Sequence, residues 1–146
     1  MASALDVAAY ILQKHGRMTT MKLQKLVYYA QAWALVWDEK PLFSERIEAW
    51  ANGPVCPDLY CAHRGFYAVD THEIEGKPDN LTSREAETVD AVLKYYGDKP
   101  AQWLIELTHI EAPWIDARGS TPPGAASNVE ISLASMADYY SSLPKE

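Results

Sequence analysis

Thr19-Thr20-Met21-Lys22-Leu23-Gln24-Lys25-Leu26-Val27-Tyr28-Tyr29-Ala30-Gln31-Ala32-Trp33-Ala34-Leu35-Val36-Trp37 is the stretch on which the fold turns. Leu23, Leu26, Val27, Ala30, Trp33, Ala34 and Trp37 recur at intervals of three and four, which is the spacing of one broad apolar helix face. Either threonine can cap the start. Lys22, Lys25 and Gln31 fall mostly off that face, and so many apolar positions predict a central helix with neighbours on more than one side. Trp33 and Trp37 stand four residues apart on the face and read as core rather than as a platform for stacking bases. Tyr28 and Tyr29 are adjacent and diverge, so one of them is expected at a polar boundary.

Upstream, Ser3 and Asp6 form a helix-capping pattern, and Leu5, Ala8, Ala9 and Leu12 carry a short helix to His15-Gly16. Downstream, Asp38-Glu39-Lys40-Pro41 is a turn, and Arg46-Ile47-Glu48-Ala49-Trp50-Ala51 alternates well enough for a short strand. Asn52-Gly53-Pro54 breaks the chain, and Pro57-Asp58 opens a third helix that reaches about Gly65. Residues 68–80 read as loop, with a brief extended segment at Glu73-Ile74-Glu75 that could pair with the earlier strand. Thr82 and Glu85 form a capping box, after which Ala86, Val89, Val92, Leu93 and Tyr96 run to Gly97. A further helix starts near Pro100 and continues through Leu104 and Leu107 until Pro113 ends or redirects it. Residues 118–127 are an expected exposed loop, and a last amphipathic helix carries Leu133, Met136, Tyr139 and Tyr140. The fold class expected is mainly α: a compact single-domain helical bundle of about six helices with a small two-stranded β element, spanning 1–146 with a short tail from about 143.

The composition fits this reading. The chain has 146 residues, 48% of them apolar, with five Trp and nine Tyr, which is ample material for one core. Cys56 and Cys61 are too few for a disulfide framework and suit a reducing compartment. No secretory leader is visible at Met1–Asp6 and no apolar run is long enough to span a bilayer, so the expected location is cytoplasmic, away from membranes. The net charge of −7 opposes attraction to a polyphosphate backbone and suits a basic protein partner.

Local signatures of chemistry are sparse. There is no Gly-rich phosphate loop, nucleophile elbow or zincin helix. Cys56, Cys61 and His63 lack the spacing of a structural zinc site, so no metal and no cofactor is expected, and the cysteines and His63 read as packing and boundary residues. His109 and Glu111 could be written as an acid/base pair, but positions two apart on a helix diverge, and His109 reads as a C-terminal helix residue. Lys14, Arg17, Lys22 and Lys25 read as a solvated basic rim rather than a DNA-binding surface. The expectation is a binding protein, not an enzyme.

Met21-Lys22-Leu23-Gln24-Lys25-Leu26-Val27-Tyr28-Tyr29-Ala30-Gln31-Ala32-Trp33, followed by Ile47-Glu48-Ala49-Trp50-Ala51-Asn52-Gly53-Pro54-Val55, resembles the Panacea domain, also called SocA-like or GepA-like. Leu81-Thr82, Tyr96-Gly97, Leu107-Thr108-His109 and Pro113-Trp114 fit the later parts of the pattern, so the resemblance covers nearly the whole chain. It implies an antitoxin of a bacterial or phage toxin–antitoxin pair that neutralises a cognate protein toxin, encoded by the adjacent gene, through direct binding. It also implies an alternative in which the domain is an adaptor or chaperone-like protein that hands the toxin to a AAA+ protease. The matching region leaves no room for an added DNA-binding segment, so no nucleic acid partner is expected. Leu23, Leu26, Tyr29, Ala30 and Trp33 are then core, and Gly53-Pro54 sets the next helix. The residues expected to touch the partner, as polar and aromatic groups near loops, are Trp50, Asn52, Val55, Asp58 and Tyr60 around the turn, with His109, Glu111 and Trp114.

Overall fold

In the computed structural model, which describes residues 1–144, the first helix opens on a reciprocal cap. The Asp6 amide donates to Ser3 Oγ at 3.1 Å and the Ser3 amide to Asp6 Oδ2 at 2.9 Å. Two amides that helix geometry leaves unpaired are thereby satisfied, and α1 (Ala4–His15) runs on to Gly16. A two-residue strand, β1 (Met18–Thr19), leads straight into α2 (Thr20–Trp37), where the Lys22 amide donates to Thr19 Oγ1.

After the turn at Asp38 the chain forms a hairpin from β2 (Ile47–Trp50) and β3 (Gly53–Val55), bent at Gly53, whose φ of 115° favours glycine. Pro57 occupies the first turn of α3 (Pro57–His63), where its missing amide costs nothing. β4 (Ala68–Val69) returns antiparallel to β1. The Thr82–Glu85 capping box opens α4 (Ser83–Tyr96), and α5 (Ala101–His109) and α6 (Ala112–Arg118) follow. β5 (Glu130–Ile131) pairs with β2 to complete a three-stranded sheet of order β3-β2-β5, and Ser132 caps α7 (Leu133–Ser141).

α1, α4, α5 and α7 all pack on α2, twelve of whose eighteen residues are buried. That enclosure explains where the structure departs from helical periodicity. Gln31 donates from Nε2 to the Phe43 carbonyl and accepts the Leu42 amide on Oε1, at 2.9 and 2.7 Å. Gln24 does the same two turns earlier on the helix, donating to the Cys56 carbonyl and accepting the Cys56 amide at 3.2 and 2.9 Å. Each glutamine acts as a substitute backbone amide for a loop crossing the helix, so positions off the apolar face are covered too. Lys25, expected on a solvated rim, is 1% exposed, and both Tyr28 and Tyr29 lie inside. Trp37 goes the other way. It stacks on Trp33 at 5.1 Å but is 43% exposed.

Two further expectations are corrected. Pro113 does not end helical structure but opens α6, raising the α-helices among the described residues to seven. Glu73-Ile74-Glu75 does not pair with the β2 strand. The Asp70 amide donates to Glu73 Oε1 and closes a turn there, and the partners of β2 are β3 and β5. The loop 70–80 is instead pinned to α1, because the Lys77 amide and Asn80 Nδ2 donate to the Asp6 carboxylate at 2.8 and 3.0 Å. Of the expected tail, residues 145–146 lie outside the described residues.

Candidate functional site

The β2–β3 turn sits over the N-terminal half of α2. There Thr20, Met21, Gln24, Lys25, Trp50, Asn52, Val55, Tyr60 and His63 enclose a recess of about 200 Å³. On the far side of the same turn, Trp50, Ala51 and Asn52 border a wider open depression against 126–128. Trp50 and Asn52 thus form a ridge between two hollows.

The ridge is held from below. Trp50 donates its indole N–H to Glu48 Oε1 at 2.8 Å, and Glu48 is in turn paired with Arg46 at 2.9 Å. Its ring meets Tyr60 edge-to-face at 5.0 Å, and its carbonyl accepts the Trp114 indole N–H at 2.8 Å. Trp114 lies between the stacked His109 ring at 4.1 Å and the Arg118 guanidinium at 4.9 Å. Arg118, which the sequence places at the start of a free loop, is buried at the end of α6. It donates to the carbonyls of Ala49, Pro122 and Ala125, so it ties that loop back to β2.

Of the eight residues expected at a contact surface, Trp50, Asn52, Val55 and Tyr60 line one recess, and His109 and Trp114 join them through Trp50. Asp58 is exposed on α3, while Val55 is buried at 8% exposure and contributes only wall. Glu111 is elsewhere. It is buried, and its Oε1 accepts the hydroxyls of Tyr29 and Tyr140, both at 2.7 Å. Tyr140 also meets the Tyr28 hydroxyl at 3.0 Å. Burial pushes the Glu111 carboxyl up, the two hydroxyls only partly opposing it. Glu111 is therefore an internal tie between α2 and α7, not a surface contact, and it does not face His109.

The floor of the recess holds what periodicity missed. The Lys25 ammonium donates to the Pro54 carbonyl at 3.2 Å and has no carboxylate partner among the described residues. Burial alone pulls its amine down to about 7. Gly53 is required beside it: a Cβ there would come within 2.6 Å of Lys25 Cε and 2.9 Å of Thr108 Oγ1. His63, expected at the boundary, is 5% exposed, with its Nε2 against Gln24 Nε2 at 3.0 Å. Burial, with the Lys25 charge adding to it, holds the His63 imidazole below its ordinary value. His109 is depressed by burial and then by the Lys25 and Arg118 charges, and its Nε2 is buried with no hydrogen-bond partner.

Cys56 is buried and Cys61 exposed, and among the described residues no three His, Cys, Asp or Glu side chains converge as metal ligands would. No helix among them is long and apolar enough to cross a membrane.

The turn, the recess apart from Thr20 and Met21, and α2 apart from its first three residues fall within residues 23–115, the stretch matched by the family model for the SocA-like antitoxin, Panacea domain. The chain belongs to the SocA-like antitoxin family. No curated protein and no solved structure matches it. In this Panacea domain the matched stretch runs from α2 into α6, so Lys25, the ridge, His109 and Glu111 belong to the family portion. Tyr140, which completes the Glu111 tie, comes from α7 beyond it.

Proposed function

We propose that this Panacea domain neutralises a cognate protein toxin, encoded by the adjacent gene, by binding it directly, without catalysis, through the ridge at Trp50 and Asn52. The observation that carries this reading is the ridge itself. It is a half-buried tryptophan and an exposed amide, fixed by the Glu48, Tyr60 and Trp114 contacts and flanked by two hollows, in a domain of an antitoxin family. Rigid aromatic groups at the centre of a surface patch are the usual anchors of protein interfaces, because little side-chain entropy is lost when they are covered. The net charge of −7 favours encounter with a basic partner.

The test is co-expression with the product of the neighbouring gene, scoring growth and co-purification. Rescue of growth with a stable complex is expected. Trp50→Ala should weaken that complex by about 30-fold, the value of one anchor of about 2 kcal/mol, while leaving thermal unfolding within a few degrees. Rescue without a complex, with a shortened toxin half-life that depends on a AAA+ protease, would replace direct neutralisation by the adaptor mode. Absence of rescue would remove the reading for that pair.

A further inference from the structure

A buried ammonium ordinarily has an anionic partner, because desolvating a charge is expensive and mutual attraction offsets it. Lys25 has three donor hydrogens and a single carbonyl acceptor, the Pro54 oxygen at 3.2 Å. Nor does the recess above it supply the missing charge. None of its lining residues is acidic, in a chain that carries twenty acidic residues against thirteen basic ones. Glu48, which reaches the rim through the Trp50 indole, is already paired with Arg46. His63 on the same wall is held toward its neutral form, so Lys25, whose amine burial also draws down to about 7, is the cation of the lining when it is protonated.

Size and wall chemistry narrow what would fit. About 200 Å³ is below the range of roughly 300–1,000 Å³ typical of cofactor and drug-sized sites, yet exceeds the ~30 Å³ that a water occupies in the liquid. Nucleotides are too large. A phosphate dianion does not match a single cation, whereas a carboxylate does, offering two acceptor oxygens for the spare lysine hydrogens. Met21, Val55 and the Trp50 ring supply apolar wall, and Asn52 and Tyr60 supply an amide and a hydroxyl.

We propose that the recess between the β2–β3 turn and α2 is a binding site for one carboxylate group on a short apolar stem, with Lys25 as its counter-charge. The stem is either that of a free short-chain acid or that of an acidic or C-terminal residue of a bound protein. The site stands on the geometry of the free domain and does not depend on the toxin reading.

The experiment uses the full chain and two probes of nearly equal shape, butyrate and its neutral amide, butyramide, with the side-chain N–H resonances of Trp50 and Gln24 followed by NMR. Saturable shifts with butyrate are expected, together with at least tenfold weaker binding of butyramide. In Lys25→Met the butyrate response should fall at least tenfold. Equal responses to the two probes in the wild-type chain, or no saturable response to butyrate, would overturn the proposal without relying on any variant. An undiminished butyrate response in folded Lys25→Met would do the same. Repeating the titration on a toxin complex separates the sources: butyrate excluded from the complex identifies the toxin's own carboxylate, and butyrate still bound identifies a free acid.

Discussion

Replacing Lys25 by Met should make this protein more stable, against the ordinary expectation for a core substitution. Holding the lysine amine at about 7 instead of 10.5 is equivalent to about 5 kcal/mol against its charged form. The unfolded chain binds the proton throughout the interval between those values while the folded chain has released it. Stability therefore rises with pH from 7 toward 10.5, with most of the cost of the buried charge present at pH 7 and all of it only well below. Methionine fills similar space without that charge. The substitution leaves the Pro54 carbonyl without its donor, which costs about 1–3 kcal/mol. The net expectation is a gain of about 2 kcal/mol at pH 7, within the range seen when buried ions are replaced by apolar side chains.

Urea unfolding followed by tryptophan fluorescence at pH 7, 8 and 9 measures this directly, provided the m-value is unchanged. The wild-type chain should gain about 2 kcal/mol relative to Lys25→Met between pH 7 and 9, closing most of the gap. The difference between the two chains isolates Lys25, because titrations common to both cancel. His63 and His109 are depressed from 6.5 and titrate mostly below the window, the unfolded Cys56 thiol begins to ionise only at its upper end while the folded one is held up to about 11, and Tyr10 at about 12 departs from its unfolded behaviour above it. Lys25→Met that is less stable at pH 7, with the same pH slope as wild type, would show that the ammonium is stabilised by interactions other than the Pro54 bond.

Other substitutions test other parts of the structure. Glu111→Ala strands the Tyr29 hydroxyl in the core, leaves Tyr140 only the Tyr28 hydroxyl, and should cost about 2–4 kcal/mol in denaturant unfolding. Glu111→Gln keeps an acceptor oxygen and should cost less than half as much. Because the Glu111 carboxyl is raised, its folded form retains a proton that the unfolded chain has lost just above 4.5, so this group's contribution to stability falls as pH rises from that value. The Gln variant should lack that component of the pH profile. Gly53→Ala combines a φ of 115° with a collision against Lys25 and Thr108, and should cost at least about 2 kcal/mol while altering the near-ultraviolet circular dichroism of Trp50. Asp6→Ala removes the carboxylate that accepts the Ser3 amide in the capping box and that anchors Lys77 and Asn80, with an expected loss of about 2 kcal/mol and faster amide exchange at Lys77.

Capping chemistry and periodicity made most helices readable in advance. Ser3 with Asp6 and Thr82 with Glu85 announced α1 and α4 because such caps are local, involving residues three apart. α6 was not readable because Pro113 is ambiguous, as a proline suits both the end of one helix and the first turn of the next. The pairings of β1 with β4 and of β2 with β5 join strands tens of residues apart, and strands of two residues carry no alternation to detect. The ridge was partly legible, since Trp50, Asn52 and Tyr60 stand near an evident turn. Glu111 was misplaced because its partners, Tyr29 and Tyr140, are 82 and 29 residues away and nothing local reports them.

Lys25 shows most clearly why a polar residue off an apolar stripe need not be a surface residue. Helical periodicity assumes that the opposite face meets water, but on α2 that face is roofed by the β2–β3 turn, and the roof is fastened by residues that look like surface polars. Gln24 holds Cys56 by both amide and carbonyl, as a neighbouring strand would, and Lys25 grips the carbonyl of Pro54 two residues earlier. The same arrangement that hides the lysine also shapes the recess, because Gly53 can lie close over Lys25 only without a side chain. An amine buried without an anionic partner is expected to sacrifice stability, and such a sacrifice is commonly retained where a charge is used in binding. If both proposals hold, the turn that carries the ridge and the lysine beneath it form one unit, with the rim offered to a protein surface and the floor to a carboxylate.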